Sequence, residues 1–387
     1  MKKLKVLIIV EYFIPHIGGV ERVVLEVGKR LAAKGHKVYV VTTEEDHYPP
    51  GLSMKLIKSF FFNVVRQYSY EGIMVTRIMI PRFGRRYIFA LVLLPLLIAL
   101  SPDVDIVHSA NNYTVALPAF LYARLSGKIA TISIWEIWGK RWMTFLHPIL
   151  GTFFQLYEHL VLSLRFDQFF PPSKFVAQQL THTQSERITI APLGGKRLVF
   201  NENYRQDLRR QLSPRNTFNF IYYGRLGLSK GVNVLIRAMV PVVKQRKNVR
   251  LFLFVPLAQK SERIVIQSVI DSLALTKYVS LNPSIPEGEL SAYLSFADCV
   301  VVPDLTISFG LVALEASQMG RLLVTTTGGG LPEVAFGKVI FVKPGSIRSL
   351  AIGLVKAIRG HWTLVPPKRF SWQKTAHRYT DAFKSLS

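Results

Sequence analysis

The chain has 387 residues, with 49 Lys and Arg against 24 Asp and Glu, a formal net charge of +25. Hydrophobic residues make up 49%, which excludes a disordered basic tail, because such tails bury too little to fold. The length suits two domains, and the single cysteine, Cys299, excludes an intramolecular disulfide.

Short β-branched runs alternate with helical patterns. Val6–Val10 reads as a strand, Val20–Lys34 as an amphipathic helix and Lys37–Thr42 as the next strand. The basic start at residues 1–5 resembles that of a signal peptide. The apolar run after it is too short and Glu11 interrupts it, so none is expected. Residues 51–100 hold seven Lys/Arg against one acid, Glu71. That excess travels with aromatic residues: Lys55, Lys58, Phe60, Phe61, Phe62 and Arg66. Ile73–Ile80 is a strand. The uncharged run Tyr87–Pro102 that follows Arg82, Arg85 and Arg86 is shorter than the about 20 residues of a membrane span. Strands follow at Asp105–His108 and Ile129–Ile134. Trp142–Leu164 carries only Glu158 as a charge, and its length alone would span a membrane. His147, Pro148, Gly151, Gln155 and His159 speak against that. Ile188–Ala191 reads as another strand, and residues 191–196, rich in Pro and Gly, as a linker.

A second series then begins. Strands are predicted at Asn219–Tyr223, Val249–Val255, Tyr278–Asn282, Val300–Pro303, Leu322–Thr325 and Val339–Val342. A helix is predicted over Gly231–Lys244 and a terminal helix over Phe370–Leu386. This is the βαβ rhythm of parallel sheets covered on both faces. The expected fold class is α/β, with two doubly wound Rossmann-like domains facing a cleft. Ligands of such sheets bind beyond the carboxyl ends of the strands.

The basic segments suit either a solvated surface over buried helices or a face resting on anionic lipid. The second is favoured, because polybasic residues near such a surface contribute about 1 kcal/mol each and apolar insertion adds to this. Nucleic acid is not expected, since no zinc spacing or recognition module is present.

Three motifs carry chemistry. Gly18 and Gly19 follow the first strand and open a helix, where unpaired N–H groups and a bare backbone admit a phosphate or a sugar. Arg225 and Lys230 lie on the glycine-rich loop after strand Asn219–Tyr223, and a planar fork with a compact charge suits a pyrophosphate. Ser308, Phe309, Gly310, Leu311 and Val312 start a helix that carries Glu315, whose carboxylate can accept two hydrogen bonds from a ribose diol. A further glycine loop, residues 325–333, follows the next strand.

In this order and spacing, the motifs resemble those of the retaining nucleotide-sugar glycosyltransferases of family 4. The resemblance runs from Lys5 to about Phe383 and implies the type B glycosyltransferase fold. It implies an N-terminal acceptor-binding domain over 1–195, a C-terminal donor domain over 196–369, and a terminal helix over 370–387 that crosses back to the first domain. By the same resemblance, Arg225 and Lys230 hold the donor's pyrophosphate and assist its departure, Glu315 holds the ribose, and Gly18 and Gly19 border the phosphate. The implied reaction moves a sugar with retention from a nucleoside-diphosphate sugar to a lipid-linked or glycan acceptor. No metal or other cofactor is expected, and no protein partner is derivable. The expected location is the cytoplasmic, inner face of the cell membrane, with Lys55 to Arg66 as the lipid contact.

The chain departs from the family pattern twice. The family carries a second glutamate eight positions before Glu315, where this chain has Ile307. It also often carries a histidine after the strand Ile129–Ile134, where this chain has Trp135. Trp135, Glu136 and Ile307 are therefore candidate contacts of the sugar or the acceptor. Ile307 implies a less hydroxylated donor sugar, a replacement contact from Glu136 or Thr306, or a nucleotide-binding protein without transferase activity.

Overall fold

The computed structural model describes residues 3–16, 18–43, 55–60, 63–81, 83–180, 185–196, 198–213 and 216–387. The chain divides into two compact units, Met1–Gly194 with Phe370–Ser387, and Gly195–Arg369. Unit 1 runs β1 (Lys5–Ile9), α1 (Gly19–Ala33), β2 (Lys37–Thr43), β3 (Lys55–Phe60), β4 (Asn63–Tyr70), β5 (Ile73–Ile78), α2 (Arg85–Leu100), β6 (Ile106–Ser109), α3 (Ala116–Leu125), β7 (Ile129–Ser133), α4 (Arg141–Phe145), α5 (Pro148–Ser163), β8 (Gln168–Phe170) and α6 (Lys174–Ala177). Unit 2 follows with α7 (Glu202–Leu212), β9 (Phe218–Tyr223), α8 (Val232–Gln245), β10 (Val249–Phe254), α9 (Lys260–Ser272), β11 (Val279–Asn282), α10 (Leu290–Phe296), β12 (Cys299–Val302), α11 (Leu311–Gln318), β13 (Leu322–Thr326), α12 (Leu331–Val334), β14 (Gly337–Val342), α13 (Ile347–Ile358) and β15 (Thr363–Val365). The last helix, α14 (Trp372–Leu386), packs in unit 1.

The sheet of unit 1 has eight strands in the order β3-β4-β5-β2-β1-β6-β7-β8. Its parallel strands are buried on both faces, so they read as continuous apolar runs: four of five β1 residues and all of β6 are buried. Helix α1 presents Val23, Val24, Val27 and Leu31 to the interior, and its Gly28 lets it lie close to β5, since a Cβ there would sit 2.8 Å from Ile73 Cδ1. Helices α2, α3 and α5 share one core, built on Phe89, Leu93, Ala119, Tyr122 and Val161. Helix α14 is tied in by Tyr379, whose ring stacks on Phe170 at 4.1 Å and whose hydroxyl bonds Ser133 Oγ at 2.8 Å.

The sheet of unit 2 has seven strands in the order β11-β10-β9-β12-β13-β14-β15. Its core is split between the two faces. Leu235, Met239 and Leu354 pack on one, and Leu294, Phe296 and Ala313 on the other.

One sequence expectation needs correction. Ile188–Ala191 is not a strand. Ile188 makes a single bridge to Phe169, and the edge strand is β8. Pro192 follows directly and has no N–H to extend a ladder. The basic segment around Lys55 enters the sheet as β3, paired antiparallel with β4. Lys55, Lys58 and Phe60 lie on that strand, and Arg66 stands opposite Leu56. Phe61 and Phe62 lie outside the described residues. The long apolar stretch from Trp142 breaks at His147-Pro148 into α4 and α5. Among the described residues, no helix is long and apolar enough to cross a membrane.

Candidate active site

In unit 2 the chain order reverses between β9 and β12. From β9 the sheet grows outward through β10 to β11, and from β12 it grows the other way through β13 to β14. Such a reversal splays the loops beyond the strand ends and opens a ligand crevice there. Three loops meet at this point. Leu305 N–H donates to Ser229 O at 2.7 Å, which joins the loop after β9 to the loop after β12. Thr326 Oγ1 donates to Asp304 O at 2.5 Å, and Gly330 N–H to Ile307 O at 2.8 Å, which joins the loop after β13.

Glycine makes these approaches feasible. Gly231 has φ +64° and a Cβ there would lie 2.0 Å from Pro303 O. Gly329 has φ +66° and a Cβ there would lie 2.0 Å from Ile307 O. At both positions the fold demands a left-handed backbone and an empty side chain.

The charged groups of the motifs gather around this junction. Arg225 is exposed on the loop after β9, and its carbonyl accepts the Tyr222 hydroxyl at 2.7 Å. Lys230 Nζ lies 2.6 Å from Asp304 Oδ1. Asp304 is buried, and burial raises its carboxyl above the ordinary range while Lys230 opposes the rise. Gly310, at φ +95°, starts α11, so the first-turn N–H groups of Leu311, Val312 and Ala313 form the helix's positive end. The Phe309 ring is buried, so this segment offers backbone rather than an aromatic face. Ser308 lies half-buried on the same loop. One turn into α11, the buried Glu315 accepts the Tyr223 hydroxyl at 2.8 Å. Burial, then the Glu315 charge, pushes the Tyr223 phenol well above its ordinary value. The phenol therefore stays a donor and fixes the carboxylate. Ile307 is half-buried and packs against the core cluster that includes Val302 and Ala313.

The sequence motifs missed Asp304 and Tyr223. The signal for Asp304 was an acid directly after a buried strand, with a lysine ending the neighbouring loop.

Unit 1 has the same reversal between β1 and β6. Gly18 is the N-cap of α1, and a Cβ there would lie 2.1 Å from Glu21 Oε2. At Gly19 a Cβ would meet open space, so packing does not require glycine. Glu11 is buried beyond β1, accepts the Thr114 hydroxyl, and has its carboxyl pushed up by burial. Trp135 is buried, its indole N–H bonds Ala110 O at 2.6 Å, and its backbone N–H bonds Asn112 Oδ1 at 3.2 Å. Glu136 accepts the Trp138 indole N–H at 2.9 Å. Trp135 thus braces the loops after β6 and β7. The chain has an Asp-x-Asp triplet, Asp103-Val104-Asp105, but it precedes β6 at the amino ends of the strands. Asp103 pairs with Lys5 there, and Asp105 accepts the Lys5 N–H at 2.8 Å. Among the described residues, no group of three His, Cys, Asp or Glu could hold a metal ion.

This arrangement agrees with what the chain is similar to. A family model described as Glycosyltransferase Family 4 matches residues 17–194, and one described as Glycosyl transferases group 1 matches residues 204–379. The chain belongs to the family 4 glycosyltransferases. Its fold is the two-domain type B glycosyltransferase fold. Sucrose-phosphate synthase from Thermosynechococcus elongatus superposes with a TM-score of 0.79 over 99% of both chains, at 17% identity. The D-inositol 3-phosphate glycosyltransferase of Arthrobacter sp. (strain FB24) is 28% identical over 214 residues, which is 52% of this chain and 51% of that protein. The match thus spans about half the length of that curated relative. The phosphatidylinositol N-acetylglucosaminyltransferase GPI3 subunit of Saccharomyces cerevisiae (strain YJM789) is 23% identical over 397 residues, 97% of this chain and 82% of that one.

Proposed function

We propose that this family 4 member is a retaining glycosyltransferase. It moves a sugar from a nucleoside-diphosphate sugar to a lipid-linked acceptor at the cytoplasmic face of an anionic membrane. The observation that carries the reading is the meeting of Arg225, Lys230 and the start of α11 at the switch point of unit 2, one helical turn from Glu315. Two cations and a helix N-terminus suit a diphosphate, and a carboxylate beside them suits a ribose diol. As the glycosidic bond of the donor breaks, negative charge grows on the departing diphosphate. Arg225 and Lys230 neutralise it, and Asp304 holds Lys230 in position for that task. Unit 1, with Gly18 and Gly19 at the start of α1, serves the acceptor. The yeast relative's name, which includes phosphatidylinositol, supports a lipid-linked acceptor. No metal is assigned a role.

The test is turnover over a panel of nucleotide sugars with lipid extract as acceptor, and the anomeric configuration of the product read by NMR. Release of nucleoside diphosphate with retained configuration is expected, and an inverted product overturns the mechanism. Ile307 favours a second reading, a nucleotide-binding protein of the same fold without turnover. It places an aliphatic side chain where the family pattern has a carboxylate. Tight nucleoside-diphosphate binding with no transfer or hydrolysis for any donor would establish it.

A further inference from the structure

Helix α5 is built inside out. Its one charged residue, Glu158, is 3% exposed. The Glu158 carboxylate points inward and accepts the backbone N–H groups of Trp138 and Gly139 at 2.9 and 2.6 Å. The opposite side carries Ile149, Phe153, Leu156 and Leu160, which are 75%, 61%, 64% and 48% exposed. Their spacing of four, three and four places them on one stripe. At 1.5 Å per residue the stripe from Ile149 to Leu160 runs over about 17 Å of the 16-residue helix. Helix α2, which contributes to the same core as α5, also exposes Leu91 and Ile98. Soluble surfaces leave apolar side chains exposed singly, and a continuous stripe marks a contact surface.

The charge around the stripe selects the partner. Lys140 and Arg141 stand before α5 and Arg165 after it, all exposed. Between residues 137 and 166 the only acid is the buried Glu158. A second copy of a +25 chain would bring these cations against further cations. An anionic bilayer meets both needs at once, with headgroups for the rim and acyl chains for the stripe.

We propose that the outward face of α5 lies in the interface of an anionic membrane, with Ile149, Phe153, Leu156 and Leu160 below the headgroups and Lys140, Arg141 and Arg165 among them. This rests on the reading that the enzyme works at a membrane, and it moves the apolar anchor from the hairpin β3–β4 to α5. The helix lies in the plane of the interface and does not cross it.

The test is cosedimentation with phosphatidylglycerol/phosphatidylcholine vesicles and with pure phosphatidylcholine vesicles, at low and high salt, beside light scattering of the chain alone. The natural chain should prefer the anionic vesicles and lose that preference in high salt. Replacing Ile149, Phe153, Leu156 and Leu160 together by Ser should weaken binding at least tenfold, with an unchanged near-ultraviolet dichroism spectrum. Lys140→Glu, Arg141→Glu and Arg165→Glu together leave the stripe in place and should abolish the preference for anionic vesicles. Unchanged binding of the Ser variant, with binding lost on replacing Phe60, Phe61 and Phe62 by Ser, overturns the role of α5 and leaves the membrane reading standing. A natural chain that dimerises through the stripe and ignores vesicles overturns both, while soluble donor hydrolysis still decides the transferase reading.

Discussion

The two units solve the same topological problem with different chemistry. Both sheets reverse their order once, between β1 and β6 in unit 1 and between β9 and β12 in unit 2. In unit 2 the loops at the reversal present an exposed arginine, a lysine paired to a buried aspartate, and the positive end of α11. In unit 1 the corresponding loops are lined by Glu11, Thr114, Asn112 and Trp135, with Thr114 bonded to Glu11 and Trp135 to Asn112. The first set suits a polyanion, the second a neutral, hydroxyl-rich molecule. Topology places a crevice, and the residues just past the strand ends decide what charge it accepts.

The sharpest way to break that comparison is to remove the cations of unit 2. Arg225→Ala with Lys230→Ala should lower nucleoside-diphosphate affinity at least a hundredfold, about 3 kcal/mol, since each charge-assisted bond contributes about 1.5–3 kcal/mol. Affinity for the bare nucleoside should change little. Calorimetric titration of both ligands checks this, and equal losses would detach the two residues from the phosphates.

Next in size is a backbone change. Gly231→Ala places a methyl group 2.0 Å from Pro303 O at φ +64°. The loop after β9 must then move away from β12, and unit 2 should lose about 3 kcal/mol of stability. Denaturant unfolding of the variant measures it. A loss below about 1 kcal/mol would mean that the junction of the loops is pliable.

Glu315→Gln tests the carboxylate with less disruption, since the amide oxygen can still accept the Tyr223 hydroxyl. Nucleoside affinity should fall about fivefold to tenfold, because a neutral acceptor forms weaker bonds to a diol than a charged one does. The same fall for a 2′,3′-dideoxynucleoside would show that Glu315 does not hold the ribose.

The legible and illegible parts of the sequence divide on physical grounds. Parallel strands buried on both faces must be apolar throughout, so β1, β9, β10, β12 and β13 were readable to within a residue or two. The strands β3 and β4 were not, because a hairpin at a sheet edge tolerates Lys55, Lys58 and Arg66 among its apolar residues. Lys230 and Glu315 could be read from their loops, but Asp304 is 74 residues from Lys230 and becomes its partner only when β12 lies beside β9. Helix α5 hid its orientation for another reason. It is apolar all round, so periodicity names no buried side, and only the inward turn of Glu158 reveals which face is left outside.

The last comparison concerns unit 1 alone. His108 lies in β6, buried, with its ring nitrogens 2.9 Å from Thr131 Oγ1 and 3.0 Å from Ser133 Oγ. Its ring meets Tyr379 and Phe383 of α14 edge-on at 5.6 and 6.0 Å. Burial pushes its pKa from 6.5 down to about 3. Between those values the unfolded chain takes up a proton that the folded chain refuses. Its contribution is therefore fully present above about pH 6.5 and is lost as pH falls toward about 3, with a slope of at most about 1.4 kcal/mol per pH unit. Unit 2 has one histidine, the exposed His361. Four of the five tryptophans lie in unit 1, so tryptophan fluorescence during urea unfolding reports mainly on that unit. Between pH 7 and pH 4 the natural chain should lose more stability than His108→Gln, which has no proton to gain there. Since the carboxylates titrate alike in both proteins, the difference in slope isolates His108. Equal slopes would mean that the imidazole is protonated in the folded state and that the packing of α14 against β6 admits water.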